Sequence, residues 1–319
     1  MPARRPVHAD GREKLRLLAA VAEAAVGARA LTLLRGDLEA VLYEAVAEIV
    51  DIRFGTTVEA VAQTADDVVA TLSDGSIVHA DLLVGADGVH SRVRSLVFGP
   101  EADHVVDLGH VVGAFPLDRV PDQVPAGIGT VFLGPRRTAS VMNLGPDRAS
   151  AFFAYRSPDP AADLALGAAP ALTRAFGDLG GGVADALAQL ESKPGAAYFD
   201  SVTQVVTDRW SDGRIVLLGD AARCLTVFAG YGAALVLDGA DRLGTALTER
   251  GGDITAALAD WETSLRPEVR KRQAVARRGI SRFAPPTRAH VALSELMFRA
   301  IALPGIRTLV QRAIHRANN

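Results

Sequence analysis

A chain of 319 residues is long enough for one large or two medium domains, and 49% hydrophobic with 22% charged residues suits a folded core rather than disorder. A formal net charge of -3 creates no global field for nucleic acid or an anionic membrane, and the single cysteine, Cys224, excludes an internal disulfide. Near the N-terminus the charged Arg12, Glu13 and Lys14 stand where an export signal would need an apolar core. No apolar run is long and uncharged enough to span a bilayer, so the expectation is a cytoplasmic protein with no membrane span. The seven histidines lack ligand spacing and find no cysteine partners, so no metal is expected.

In chain order, Arg12 to Val26 has helical composition. Gly36-Asp37 then opens an amphipathic run with Leu38, Val41, Leu42, Ala45, Val46 and Ile49 at helical spacing. From Ile52 the period shortens to strands: Thr56 to Gln63, then Val68 to Leu72 and Ile77 to His79 about a Ser73-Asp74-Gly75 turn. Ala80 to Gly88 reads as a strand buried on both faces running into a turn, with a helix from Ser91. Val105 to Phe115, Thr130 to Leu133, Ala139 to Leu144 and Ala149 to Tyr155 predict a separate mixed sheet. Pro158 to Pro170 reads as a linker, Ala171 to Ser192 as helix and Tyr198 to Thr207 as strand. A second buried strand, Ile215 to Gly219, precedes helices over Ala233 to Arg250 and Ile254 to Arg278. Pro285-Pro286 separates these from a final amphipathic pair, Ala289 to Phe298 and Ile306 to Ile314. The two buried strands flank the middle block, so the expected fold class is α/β (α+β), with a mixed-sheet domain inserted into a discontinuous α/β one.

The chemistry concentrates at the carboxyl ends of the buried strands. Gly219-Asp220 follows one of them, and a carboxylate there can accept hydrogen bonds from sugar hydroxyls. Gly230 and Gly232 then strip side chains from the start of a helix, letting backbone N–H groups approach a planar anionic ring. For an isolated Gly-Asp the competing assignment is Asp220 as a helix N-cap. After the other strand, Asp87-Gly88 turns the chain into a helix that Ser91 can cap, while Arg92 or Arg94 can offer charge to a pyrophosphate. A capped helix with surface arginines is the plainer use of that segment.

These segments resemble the group A flavoprotein monooxygenases of the para-hydroxybenzoate hydroxylase type. Gly213 to Ala240 is similar to that family's GD motif, with Arg223 where many members have His and Val227 where many have Pro. Gly85 to Arg94 is similar to its DG motif, and Leu34-Arg35-Gly36-Asp37-Leu38 to the segment whose arginine approaches the flavin. The form of the GD region looks most like the branch that also resembles tetracycline-inactivating monooxygenases, as do Asp200, Gln204 and Trp210. The resemblance implies a discontinuous Rossmann-like FAD-binding domain with an inserted substrate domain, FAD as cofactor, NAD(P)H as co-substrate, and hydroxylation of an aromatic or polyketide-like small molecule with O2. It assigns Arg35, Asp87, Gly88, Arg94, Gly219, Asp220, Gly230 and Gly232 to cofactor binding and points to no catalytic side chain, because the cofactor carries the reaction.

The family also opens with a strand, a GxGxxG turn and a helix that hold the ADP pyrophosphate, and no such segment precedes Arg35 here. The expectation is a chain truncated at its N-terminus, with the strand from Ile215 lacking a neighbour. The alternative is a remnant that does not hold FAD and serves, if at all, as an interaction module. The expected parts are a first FAD-binding segment (1–103), a substrate domain (104–197), a second FAD-binding segment (198–265) and C-terminal helices (266–319).

Overall fold

The computed structural model describes residues 3–13, 35–145, 148–229 and 232–302, which divide into two compact units. Among the described residues, the first unit takes 3–13, 35–45, 109–201 and 280–302, and the second takes 46–108 and 202–279. The chain therefore passes between units inside two long strands, β6 (Val105–Leu117) and β10 (Tyr198–Val205). The division also puts 35–45 with the middle block and 266–279 with the GD segment, unlike the boundaries expected above.

The first unit is built on a six-stranded mixed sheet. Its order is β1 (Ala3–Val7), β7 (Ile128–Gly134), β8 (Arg137–Asn143), β9 (Ala149–Arg156), β6 and β10. β1 pairs parallel to β7, while the β7–β8, β8–β9 and β6–β9 pairs are antiparallel. Alternation places Val111, Phe115, Ala139, Val141 and Phe153 on the core face. Helices α4 (Ala168–Phe176) and α5 (Val183–Ser192) cover it with Leu172, Phe176, Leu187 and Leu190. Phe153 and Phe176 meet at 5.0 Å between ring centroids. Each such buried Leu or Phe contributes roughly 1.5–3 kcal/mol through the hydrophobic effect. α9 (Arg288–Ala302) follows the Pro285-Pro286 break, as expected.

The stretch expected as a linker is helical: α3 (Pro160–Leu166) is capped by Asp159, whose carboxylate accepts from the Ala162 N–H at 3.0 Å. An Asp at the cap with Pro in the first turn is a strong helix start, and its proline content had suggested the opposite. α1 (Arg35–Val46) forms where the helical spacing placed it, but none of its residues is buried. Most of the helix expected over Arg12 to Val26, and all of that over Ile306 to Ile314, lies outside the described residues.

In the second unit, β2 (Val58–Gln63), β3 (Val68–Leu72) and β4 (Ile77–Ala80) form an antiparallel meander whose β3–β4 turn contains Asp74 and Gly75. Beside it, β12 (Ile215–Leu217) is the middle strand of a three-stranded sheet. It lies between β11 (Ser211–Asp212), antiparallel, and β5 (Leu83–Gly85), parallel. The expectation that this strand lacks a neighbour is thereby corrected: the chain folds back through Gly213 so that β11 pairs with one side of β12 and β5 with the other, β5 being the last strand of this sheet among the described residues. Helices α2 (Arg92–Val97), α6 (Asp220–Arg223), α7 (Gly232–Glu249) and α8 (Ile254–Phe283) complete the unit. Its core gathers Val93, Trp210, Ile215, Leu217, Leu235, Leu258, Trp261 and Leu265. No described helix is long and apolar enough to cross a membrane.

Candidate cofactor site

The DG-like and GD-like segments meet in the second unit because their strands are adjacent and parallel. Leu83 pairs with Ile215, Val84 with Val216 and Gly85 with Leu217, so both strands end at the same level. The Leu218 N–H extends the ladder by donating to Gly85 O at 2.9 Å. A side chain at Gly85 would come within 2.9 Å of Leu217 Cδ2 and of Val93, so the close approach of strand and helix depends on this glycine. Ligands of α/β sheets sit outside such carboxyl ends.

On the β5 side, the Asp87 carboxylate accepts from Ser91 Oγ and from the Val93 N–H at 3.0 Å. Ser91 Oγ accepts in turn from the Arg94 N–H at 3.0 Å, capping α2. Asp87 is thus engaged in ordering a helix start, which leaves N–H groups satisfied and the loop in one conformation. Gly88 has φ 80°, a backbone region that disfavours side chains, with open space where a Cβ would stand. Arg92 is exposed on the first turn of α2.

Arg94 is fully buried. Its Nη1 donates to Ala221 O at 2.9 Å and its Nη2 to Val89 O at 2.6 Å, and Glu101 approaches Nη2 at 3.6 Å. Its Nε finds no partner among the described residues. Burial pulls its pKa below the ordinary arginine value, opposed by the Glu101 charge. The guanidinium expected at a phosphate therefore bridges the two motif loops, through one carbonyl on each.

On the β12 side, Gly219 is the N-cap of α6, with φ 65° and ψ -135° and no side-chain cap. Asp220 consequently occupies the first helical residue, half-buried, and the assignment of Asp220 as N-cap does not hold. A Cβ on Gly219 would lie 3.1 Å from Val236 Cγ2, which shows that the first turns of α7 pack on the GD turn. Gly232, at the start of α7, has open space at its Cα. The structure thus gathers Asp87, Gly88, Arg94, Gly219, Asp220 and Gly232 in one unit. Arg35 begins α1 in the other unit, exposed, and Gly230 lies outside the described residues.

Behind the GD turn the structure reveals a cluster that the linear motif did not disclose. Arg223 is 2% exposed, with its guanidinium carbon 5.1 Å from the Trp210 ring centroid and 5.3 Å from that of Trp261. The Arg266 guanidinium carbon also lies over the Trp210 ring, 4.8 Å from its centroid, and Arg266 pairs with Glu262. Burial lowers the Arg223 pKa to about 10, partly offset by Asp238. Gln204 is buried too, donating to Leu225 O at 2.7 Å and Gln273 O at 3.0 Å, so it ties a strand to α8. The thiol of Cys224 is buried.

The chain belongs to the FAD binding domain family, whose pattern it matches over residues 12–253. It is 31% identical over 247 residues to a flavin-dependent monooxygenase from an unknown prokaryotic organism, a match covering 76% of this chain and 62% of the relative. It is 30% identical over 302 residues to an FAD-dependent monooxygenase of Sarocladium schorii, covering 87% and 70%. The crystal structure of the tetracycline destructase Tet(51) superposes with a TM-score of 0.76 at 26% identity, covering 95% of this chain and 80% of that one. The chain spans 62% and 65% of the length of two of the curated relatives it matches. Mixed α/β architecture with a multi-stranded mixed sheet and C-terminal helices is common to this chain and those folds. The family match does not favour the reading of a remnant without flavin.

Proposed function

We propose that this chain is the FAD-binding and substrate-binding body of a monooxygenase that hydroxylates an aromatic or polyketide-like small molecule with NAD(P)H and O2. The observation that carries the reading is the pairing of β5 with β12, which sets the Asp87-Gly88 and Gly219-Asp220 turns side by side with Arg94 between them. The residues present fit the sugar and phosphate part of FAD. Asp220 offers a half-buried carboxylate to ribityl hydroxyls, and the open Cα faces at Gly88 and Gly232 admit close backbone approach. Arg92 supplies an exposed guanidinium for a phosphate, and Arg94 holds the two loops in register.

Bound FAD supplies the redox chemistry, which explains why no acid–base pair stands out among the side chains described. The protein's share is to bind, to orient and to exclude water, and the apolar packing of the two turns against Leu217, Val93 and Val236 serves the last of these. The mixed sheet of the first unit is the proposed substrate platform.

The test is a visible absorption spectrum of the purified chain with added FAD, recorded after desalting. Oxidised-flavin bands at near-stoichiometric amplitude, reduced in Asp220→Ala, support the reading. A colourless protein that remains folded by circular dichroism overturns it.

A further inference from the structure

Wholly within the first unit lies a cleft of about 430 Å³, between the β7–β8 turn, the end of β9 and the helices α3 and α4. Its walls carry four arginines, Arg136, Arg137, Arg156 and Arg174, against the carboxylates of Asp159 and Asp163. Two of the four are committed. Arg137 makes a two-pronged contact with Asp178, both arms at 2.6 Å, and Arg174 pairs with Asp163. Asp163 is buried and also accepts from Tyr155 Oη at 2.9 Å, so its charge is spent in the floor of the cleft.

Arg136 and Arg156 differ from these: both are exposed, and among the described residues neither side chain has a hydrogen-bond or ion-pair partner. They are held next to each other, because the Arg156 N–H donates to Arg136 O at 2.8 Å. Pro135-Arg136 is moreover a two-residue turn in which Arg136 takes φ 61°, a conformation that glycine or asparagine adopts at less cost. Two arginines without a side-chain partner among the described residues and a strained turn residue thus coincide on one rim of a cleft.

We propose that this cleft binds a small molecule through a doubly charged oxyanion, a phosphate monoester or a dicarboxylate, gripped by the guanidinium forks of Arg136 and Arg156. Two guanidiniums without a partner among the described residues match two negative charges, and the planar forks suit either oxyanion. The volume is that of a small-molecule site. The proposal does not depend on flavin binding.

The experiment is isothermal titration of the full chain with inorganic phosphate, phenyl phosphate and succinate, at ionic strength held constant with sodium chloride. The expected result is saturable binding, weakened about tenfold or more in Arg136→Gly and in Arg156→Gln, the loss of one charge-assisted contact. Tighter binding of phenyl phosphate identifies a phosphate ester as the natural group, and tighter binding of succinate a dicarboxylate. Arg136→Gly relieves the turn, so its melting temperature is expected to equal or exceed that of the parent and the loss is not one of folding. If that variant is less stable, Arg156→Gln alone decides. No saturable heat with any probe, or unchanged affinity in both variants, overturns the proposal.

Discussion

Substituting Gly239 by alanine tests the packing behind the GD turn, because two effects of opposite sign compete there. Gly239 lies within α7, where alanine is favoured over glycine by about 1 kcal/mol. A Cβ at this position, however, would collide with Arg223 Nη2 and stand 2.9 Å from its Cζ. An exposed arginine would swing aside, but this one is 2% exposed and stacked against Trp210 and Trp261, while the Gly239 carbonyl accepts from Trp261 Nε1 at 2.8 Å. Overpacking of this kind costs roughly 1–3 kcal/mol, and the displaced guanidinium would also lose its aromatic contacts, worth about 0.5–2 kcal/mol. Gly239→Ala is therefore expected to destabilise the parent by about 1–3 kcal/mol. In an Arg223→Met background the obstruction is removed, and the same substitution is expected to stabilise by about 0.5–1 kcal/mol. Urea unfolding followed by tryptophan fluorescence reads this directly, since the only two tryptophans of the chain are Trp210 and Trp261. Equal effects of Gly239→Ala in both backgrounds, or stabilisation of the parent, would refute the reasoning.

Arg94→Ala leaves the Ala221 and Val89 carbonyls without their donor in a buried site and opens a cavity, so a loss of about 3–5 kcal/mol is expected from the urea midpoint. A loss under about 1 kcal/mol would show that the bridge does not hold the loops. Burial alone would raise the Asp163 carboxyl, but hydrogen bonds from Ser157, Tyr155 and Arg174 outweigh it and hold the pKa below its ordinary 3.8. A depressed folded pKa means that the unfolded chain binds the proton more readily. The stability this carboxylate contributes is present above pH about 4 and disappears as pH falls through the folded value. The parent should lose stability faster than Asp163→Asn between pH 4 and 3 by denaturant midpoint, and parallel profiles would contradict this. Arg92→Ala is expected to weaken FAD binding about tenfold in a flavin-fluorescence titration while leaving the urea midpoint within about 0.5 kcal/mol, because its side chain is exposed. Unaltered affinity would remove Arg92 from the site.

Much of this organisation was legible in the sequence, for reasons that differ by element. The strands at Leu83–Gly85 and Ile215–Leu217 announced themselves by continuous apolar residues ending in glycine, since strands covered on both faces need no polar alternation. The sheet from β6 to β9 was readable from its strands in the same way. β11 was not: two residues, Ser211 and Asp212, have no period to detect, yet they supply the neighbour of β12. α3 was hidden behind its prolines, although Asp159 and Pro160 form a start signal when read as a pair. The unit boundaries were displaced because the chain changes units within β6 and β10, and composition does not shift inside a strand. No linear motif could disclose that Gly239 faces Arg223 or that Arg94 reaches Ala221, since each contact joins segments brought together only by tertiary packing.

The difference between Arg92 and Arg94 decides how the cofactor's charge can be met on the β5 side. To reach a phosphate, Arg94 would have to surrender two hydrogen bonds to buried carbonyls, each charge-assisted and worth about 1.5–3 kcal/mol. Burial has already lowered its pKa, so the charge it would bring is costly where it stands. Arg92, two residues earlier on an exposed face of the same helix turn, carries neither penalty. Asp87 is bound in the same way, with its two oxygens engaged by Ser91 and Val93. Two of the charged residues of the DG segment are thus committed to the backbone they organise, shaping the Gly88 turn and tying it to the GD turn. Under the proposed reading, direct side-chain contacts with the cofactor fall on this side to Arg92 and, across the strand pair, to Asp220. A charge engaged in this way is a requirement of loop geometry first, and substituting Asp87 or Arg94 is expected to lower fold stability and, under the proposed reading, flavin affinity with it.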